Sequence, residues 1–270
     1  MTVRIEYRPA HLTFEEFRRV DGECFPAESI ASEGFSTFMA DNFWAAYDGD
    51  SLVAFSHVVR KPDVAWISRI ATSTAYRNQG VATELMRTMV HHCLRIGLSD
   101  MMLYVQSDNT AAIRLYECFG FRTVESAYQF ILSGPRLLRP PPDAVAAPIT
   151  AVPITDLSGS SLPHWPREWS NIADTHRPPE QYVLVFHDES GTHRGYCRLV
   201  PRFPGCFPFV VDRPSTYLTG VLHALHDFLL PERDILKLTF SDDALADACV
   251  ELGLKLNYQL FKMLRLAGKP

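Results

Sequence analysis

The 270-residue chain has no basic surplus: 26 Lys and Arg stand against 31 Asp and Glu, a formal net charge of −5. A general nucleic-acid binder needs a positive surface facing the phosphates, so this balance argues against that class. No apolar run approaches the roughly 20 residues that cross a bilayer. The opening residues MTVRIEYRPAHL lack the charged-then-apolar pattern of a secretory leader. The six cysteines, Cys24, Cys93, Cys118, Cys197, Cys206 and Cys249, form no C-x-x-C pair and no zinc-ligand spacing. Three of them, Cys93, Cys118 and Cys249, fall in apolar helical patterns, where a thiol packs as a small hydrophobe. His223 and His226 share a helix face, but no third ligand follows at a fitting distance. A reduced, cytoplasmic protein with neither a metal cofactor nor a membrane partner is the expectation.

Hydrophobic residues make up 47% of the chain, and its length favours two domains. Period-2 and period-3.6 patterns alternate along it. Strands are expected at 2–8, 43–47, 52–60, 63–72, 101–106 and 127–132. Helices are expected at 14–23, 34–42, 81–96 and 110–119, the last two stopped by Gly97 and Gly120. Residues 134–153 carry Pro135, Pro140, Pro141, Pro142, Pro148 and Pro153, a density that cannot continue a helix or a central strand. The expected division is therefore a domain at 1–134, a proline-rich linker at 135–153 and a domain at 154–270. In the last segment strands are expected at 182–187, 196–200, 207–212, 235–240 and 259–266, with helices at 216–230 and 244–252.

The order of elements recurs, and so do some residues. Gly80 stands 140 positions before Gly220, while Leu103, Asn109, Ala111 and Gly120 stand 133 positions before Leu236, Asp242, Ala244 and Gly253. A constant offset within each block points to an internal duplication. On this alignment Tyr217 replaces Arg77, Leu222 replaces Ala82, Asp242 replaces Asn109 and Cys249 replaces Tyr116. The second half then reads as a structural relic that walls the acceptor pocket.

The chemistry is concentrated in the segment 70–83, which joins a strand to a helix. A helix start leaves its first N–H groups unpaired and carries a positive dipole end, so it suits an anion. Gly80 and the small Ala82 keep the backbone accessible. Arg77 adds a forked cation that can grip a phosphate oxygen.

Arg77-Asn78-Gln79-Gly80-Val81-Ala82 resembles the donor-binding motif of the GNAT acyltransferase superfamily, Gln/Arg-x-x-Gly-x-Gly/Ala. A second segment, Asn109 through Phe121, resembles that family's Asn-x-x-Ala-x-x-x-Tyr-x-x-x-Gly-Phe pattern. The resemblance implies an α/β fold of two tandem GNAT-like domains, each a mostly antiparallel sheet flanked by helices. It implies an N-acyltransferase whose donor is acetyl-CoA or another acyl-CoA. Ile70, Ala71 and Thr72 would pair with the pantetheine arm. Arg77, Asn78, Gln79, Gly80, Val81, Ala82 and Thr83 would hold the pyrophosphate. Asn109 and Ala112 would contact the donor arm, and Tyr116 would be the general acid.

Many relatives place a Glu or His on the strand before the cradle as the base. Here the corresponding positions are Trp66 and Ser68, and neither is a base. Glu23, Phe25, Glu28, His57, Trp66 and Ser68 are the candidates for contact with a small-molecule amine acceptor. Glu23, Glu28 and His57 are also the candidate bases, beside an amine that arrives neutral. An acyl carrier protein presenting a phosphopantetheine thioester is the rival donor, an aminoacyl-tRNA a lesser one. A non-catalytic acyl-CoA-binding protein is the rival of another class.

Overall fold

The structure, a computed structural model, describes residues 5–26, 30–38, 42–133, 146–157, 165–166, 169–202, 205–230 and 235–266. Glu28 and residues 135–145 of the expected linker lie outside that set. By contacts the chain divides into two compact units, Met1–Val124 with Lys262–Pro270, and Glu125–Phe261. None of the described helices is long and apolar enough to cross a membrane.

The first unit runs β1 (Ile5–Ala10), α1 (Phe14–Cys24), α2 (Ser32–Phe38), β2 (Phe43–Asp48), β3 (Ser51–Arg60), β4 (Ala65–Thr72), α3 (Val81–Arg95), β5 (Met101–Gln106) and α4 (Thr110–Cys118). Its strands lie in sequence order, antiparallel from β1 to β4, with β5 parallel to β4. A capping box starts α1: the Thr13 hydroxyl accepts from Glu16 N at 3.3 Å, and the Glu16 carboxylate accepts from Thr13 N at 2.9 Å. Helix α1 buries Phe17, Val20 and Asp21 on the sheet. There Phe17 meets Phe35, Phe43 and Phe55 at ring-centroid distances of 4.9, 6.0 and 5.1 Å. The opposite sheet face is covered by α3, whose Val81 and Leu85 pack on Ala46, Val53 and Ala54.

The second unit takes the greater part of β6 (Arg122–Ser133), then β7 (Ile149–Pro153), β8 (Tyr182–Asp188), β9 (His193–Val200), β10 (Gly205–Val211), α5 (Pro214–Leu225), β11 (Ile235–Phe240), α6 (Asp243–Glu251) and the start of β12 (Lys255–Arg265). β6 pairs antiparallel with β11, β11 runs parallel to β10, and β9, β8 and β7 follow antiparallel. Strand β7 occupies the last five residues of the proline-rich stretch. It lies at the end of the strand order, where a missing N–H is tolerated. Helices α5 and α6 cover one face of this sheet through Leu218, Val221, Leu222, Leu225, Leu245 and Cys249.

The chain's last strand returns to the first unit through Lys262–Arg265. There the Arg265 guanidinium donates to Phe119 O at 3.0 Å and to Ser99 O at 3.2 Å. A helix end exposes unpaired carbonyls and negative dipole, so a cation at the close of α4 is favourable. Arg265→Ala should therefore lower the unfolding free energy by about 1.5–3 kcal/mol, the range for charge-assisted bonds. Urea denaturation reads it, and a difference near zero would reject the clamp. A chain ended near residue 139 loses this strand and should be insoluble or fail to acylate.

Candidate active site

Strands β4 and β5 pair only through Ala65↔Met101, Trp66↔Met102 and Ile67↔Leu103, while β4 stays registered with β3 up to Thr72. Past Ile67 the two parallel strands part. The divergence coincides with a bulge: His57 opposes Arg69 and Val58 opposes Ile67, so Ser68 is the extra residue of β4. A bulge increases local twist and bends its strand. The backbone of residues 68–72 is thus left with an open edge on the β5 side.

The open edge leads into the turn 73–80. Gly80 is the N-cap of α3 at φ 78°, and Asn78 has φ 60°. A Cβ at Gly80 would meet nothing within 4 Å, so its left-handed backbone, not crowding, is what requires glycine. The first α3 bond, Glu84 N to Gly80 O at 3.0 Å, leaves the N–H groups of Val81, Ala82 and Thr83 without helical acceptors. The turn is stapled on several sides. Ser73 Oγ and Thr74 N donate to the Glu23 carboxylate at 2.8 and 3.0 Å. Tyr76 donates to Asp48 at 2.7 Å, and Gln79 to Ala75 O at 2.7 Å.

Strand, turn and α4 enclose a cavity of about 490 Å³, and it falls wholly within the first unit. Its walls include Ile70, Ala71, Thr72, Arg77, Asn78, Gly80, Val81, Ala82, Thr83, Asn109, Ala112 and Tyr116. Every donor-site residue expected from the sequence is therefore brought together here except Gln79, whose amide is committed to the turn. Asn109 caps α4, its side chain accepting from Ala112 N at 3.1 Å. Tyr116 is 5% exposed, and burial raises the pKa of its phenol above the usual value. A neutral phenol with a retained proton is what such a group offers a ligand in the cavity. Arg77 folds back, donating to Thr72 O at 3.1 Å and reaching Cys24 Sγ at 3.4 Å.

The expected acceptor residues are more scattered. Phe25 lines the cavity. Glu23 stands beside it but serves the turn, and the Thr74 N–H, then Ser73, hold its carboxyl below the usual pKa. A carboxylate so stabilised is a poor proton acceptor. His57 is 2% exposed, tilted against Phe43 with ring centroids 4.9 Å apart, and its Nδ1 lies 2.6 Å from Ser68 Oγ. Trp66 sits under the Lys61 ammonium at 5.7 Å from its ring centroid.

The sequence reading missed Cys24, Tyr76, Ala111 and Leu115 as cavity walls, and a buried ion pair beneath them. Arg69 pairs bidentately with Asp21, whose side chain is fully buried, and its guanidinium lies 3.9 Å from the Phe25 ring centroid. The pair fixes Phe25 at the cavity wall. A signal for it existed: Asp21 shares the apolar i, i+3, i+4 face of α1 with Phe17 and Val20.

The acetyltransferase (GNAT) family pattern matches residues 10–121. Mycothiol acetyltransferase from Corynebacterium glutamicum is 37% identical over 81 residues, 30% of this chain and 28% of that protein. The match thus spans under a third of that relative's length. N-alpha-acetyltransferase 30 from Schizosaccharomyces pombe is 29% identical over 124 residues, 41% of this chain and 83% of that protein. A GCN5-related N-acetyltransferase from Sphaerobacter thermophilus superposes with a TM-score of 0.65 at 16% identity, covering 96% of this chain and 95% of that one. A tandem GNAT protein from the clavulanic acid biosynthesis pathway superposes with a TM-score of 0.62 at 14% identity, over 99% and 100%. At these identities the structural likeness concerns the fold.

Because the Glu23 pKa is lowered in the folded chain, its contribution to stability is present above the unfolded pKa and lost as pH falls through the folded one. Glu23→Gln should therefore flatten the loss of thermal stability between about pH 5 and 3. Melting curves for the two proteins across that window check it, and parallel curves would count against the turn bonds.

Proposed function

Because residues 10–121 form a domain of the GNAT acetyltransferase family, we propose that the chain moves an acyl group, acetyl by default, from coenzyme A to the amine of a small molecule. The observation that carries this reading is one cavity joining a free strand edge, a helix-start cradle and a buried phenol. The residues fit the donor. The N–H groups of 81–83 and the Arg77 fork would receive the pyrophosphate. The β4 edge at 70–72 would pair with the pantetheine amides as an added strand does, with Asn109 and Ala112 along the other side.

In the reaction the neutral amine nitrogen attacks the thioester carbonyl carbon and the C–S bond breaks. The departing thiolate takes the Tyr116 proton, and water carries off the amine's proton. A thiolate expelled beside an apolar wall is a poor leaving group unless a proton donor meets it. No carboxylate occupies the Trp66 and Ser68 positions, and Glu23 is committed to the turn. His57 does not line the cavity, and Glu28 lies outside the described residues; we assign deprotonation to solvent.

The second unit is proposed to hold no second donor. In the first unit residues 73–80 join β4 to α3; in the second only Asp212 and Arg213 join β10 to α5. Pro214 at the start of α5 removes a further N–H. Gly220, aligned with Gly80 in the sequence reading, is the seventh residue of α5, where a Cβ would stand 2.2 Å from Ala147 O. The cradle is absent there because its turn is short, not because Leu222 blocks it.

Incubation of the protein with a panel of acyl-CoAs and amines, with mass detection of product, tests the activity. The panel should hold small amines and peptide N-termini, since relatives named for mycothiol and for N-alpha groups both match. Arg77→Glu should weaken CoA at least about tenfold, as loss of one charge-assisted contact implies. Unchanged binding by calorimetry would favour a carrier-protein donor. Tyr116→Phe should bind CoA nearly normally and turn over about 10²-fold more slowly. Equal rates, with chemistry limiting, would reject the general acid.

A further inference from the structure

The end of α1 runs beside the open edge of β4, and the ladder shows on which side. Ser73 N donates to Val53 O at 2.8 Å, so that pair takes the bonds to β3. In an antiparallel ladder the neighbouring Thr72 then turns its own N–H and C=O away from β3. Thr72 O indeed receives the Cys24 thiol at 3.3 Å and the Arg77 Nε at 3.1 Å. Cys24 therefore stands on the side that β5 has left. The next residue, Phe25, lays its ring over the Arg69 guanidinium, 3.9 Å from the ring centroid. The two residues bracket the strand from 69 to 72, and both are walls of the donor cavity.

Asp21 fixes this segment from within. Its fully buried carboxylate accepts from Nε and Nη2 of Arg69, the latter at 3.1 Å, and from Ile30 N at 3.4 Å. Its backbone oxygen accepts from Phe25 N at 2.8 Å. One residue thus ties the last turn of α1, the strand just past its bulge and the chain that leads into α2. Well-packed apolar side chains often serve stability as well as a buried ion pair does. What the pair adds is direction: the bidentate fork sets the guanidinium plane, and the cation holds the aromatic ring against it.

Resting on the donor reading above, we propose that Phe25 is a contact for the pantetheine arm and that Asp21, acting through Arg69, positions it. The arm alternates amides with methylene and methyl groups. Its amides would take the β4 edge, and its apolar groups need a wall beside that edge, which the Phe25 ring supplies. Phe25 is thereby assigned to the donor and not to the acceptor.

Calorimetric titration of the full chain with CoA and with adenosine 3′-phosphate 5′-diphosphate, the portion of CoA without the arm, tests this. Phe25→Ala should weaken CoA about tenfold, as loss of an apolar wall implies, and leave the nucleotide unchanged. A single change in the pair would strand a buried charge, so both members are replaced together. Asp21→Leu with Arg69→Met should melt close to wild type and show the same selective loss. Adding Phe25→Ala to that pair variant should weaken CoA little further, since both act through one ring. Arg69→Lys, which keeps the charge without the fork, should show a smaller selective loss. Arg77→Glu should weaken both ligands. Wild type binding neither ligand would overturn the donor reading and this assignment with it. Wild type binding both, with Phe25→Ala unaffected or losing the two ligands equally, would overturn the assignment alone. A pair variant that melts far below wild type, with Arg69→Lys binding CoA normally, would make the pair purely structural and overturn its positioning role.

Discussion

The chemistry of the first unit depends on a parallel ladder that stops after three residue pairs. Between β4 and β5 the pairing ends at Ile67 and Leu103, and the next residue, Ser68, is the bulge that turns β4 aside. Had the ladder continued, the N–H and C=O groups of residues 68–72 that face away from β3 would be consumed by β5. Because it stops, a free edge runs straight into the turn 73–80 and on to the start of α3. Strand edge, left-handed Gly80 and unpaired helix N–H groups thus follow one another along the chain. A long ligand with amides at one end and phosphates at the other would find partners in that order.

Charged and polar groups around this groove are mostly engaged. Glu23 is held by the turn that it holds in place, Asp21 is paired with Arg69, and Tyr116 keeps its proton because burial disfavours the anion. Among the described residues that line the cavity, Tyr116 is a proton donor and none is a carboxylate. His57 and Ser68, both suspected from the sequence, do meet, but their contact lies at the bulge, and neither lines the cavity.

Comparison of the two units separates what folding needs from what chemistry needs. Asn109 and Asp242 cap α4 and α6 in the same way, each accepting from the N–H three residues on. Seven residues later Tyr116 and Cys249 are both buried. The cap and the apolar face suffice to build the helix, and both are kept. The turn before the preceding helix is free to shrink, since in the reading proposed above its length serves a ligand and not the core.

Much of this was legible in the chain itself. Alternation marked most strands, and apolar spacing marked α1, α3, α4 and α6. Arg77, Gly80, Asn109 and Tyr116 were singled out as an expected donor site because the motifs that place them are local, each spanning one strand–helix or helix–turn segment, and the structure gathers them around one cavity. The sequence comparison went astray where an offset had to be chosen. Gly80 was set against Gly220 at 140 positions, yet the helix N-caps, Gly80 and Arg213, keep the 133-residue spacing that relates Asn109 to Asp242. A shift of two helical turns preserves an apolar pattern, so periodicity could not tell the two alignments apart. Two features were decided only by tertiary structure: the Asp21–Arg69 pair under Phe25 and the Arg265 clamp on α4. Each joins residues far apart in the chain, and whether a charge finds its partner is a property of the assembled interior.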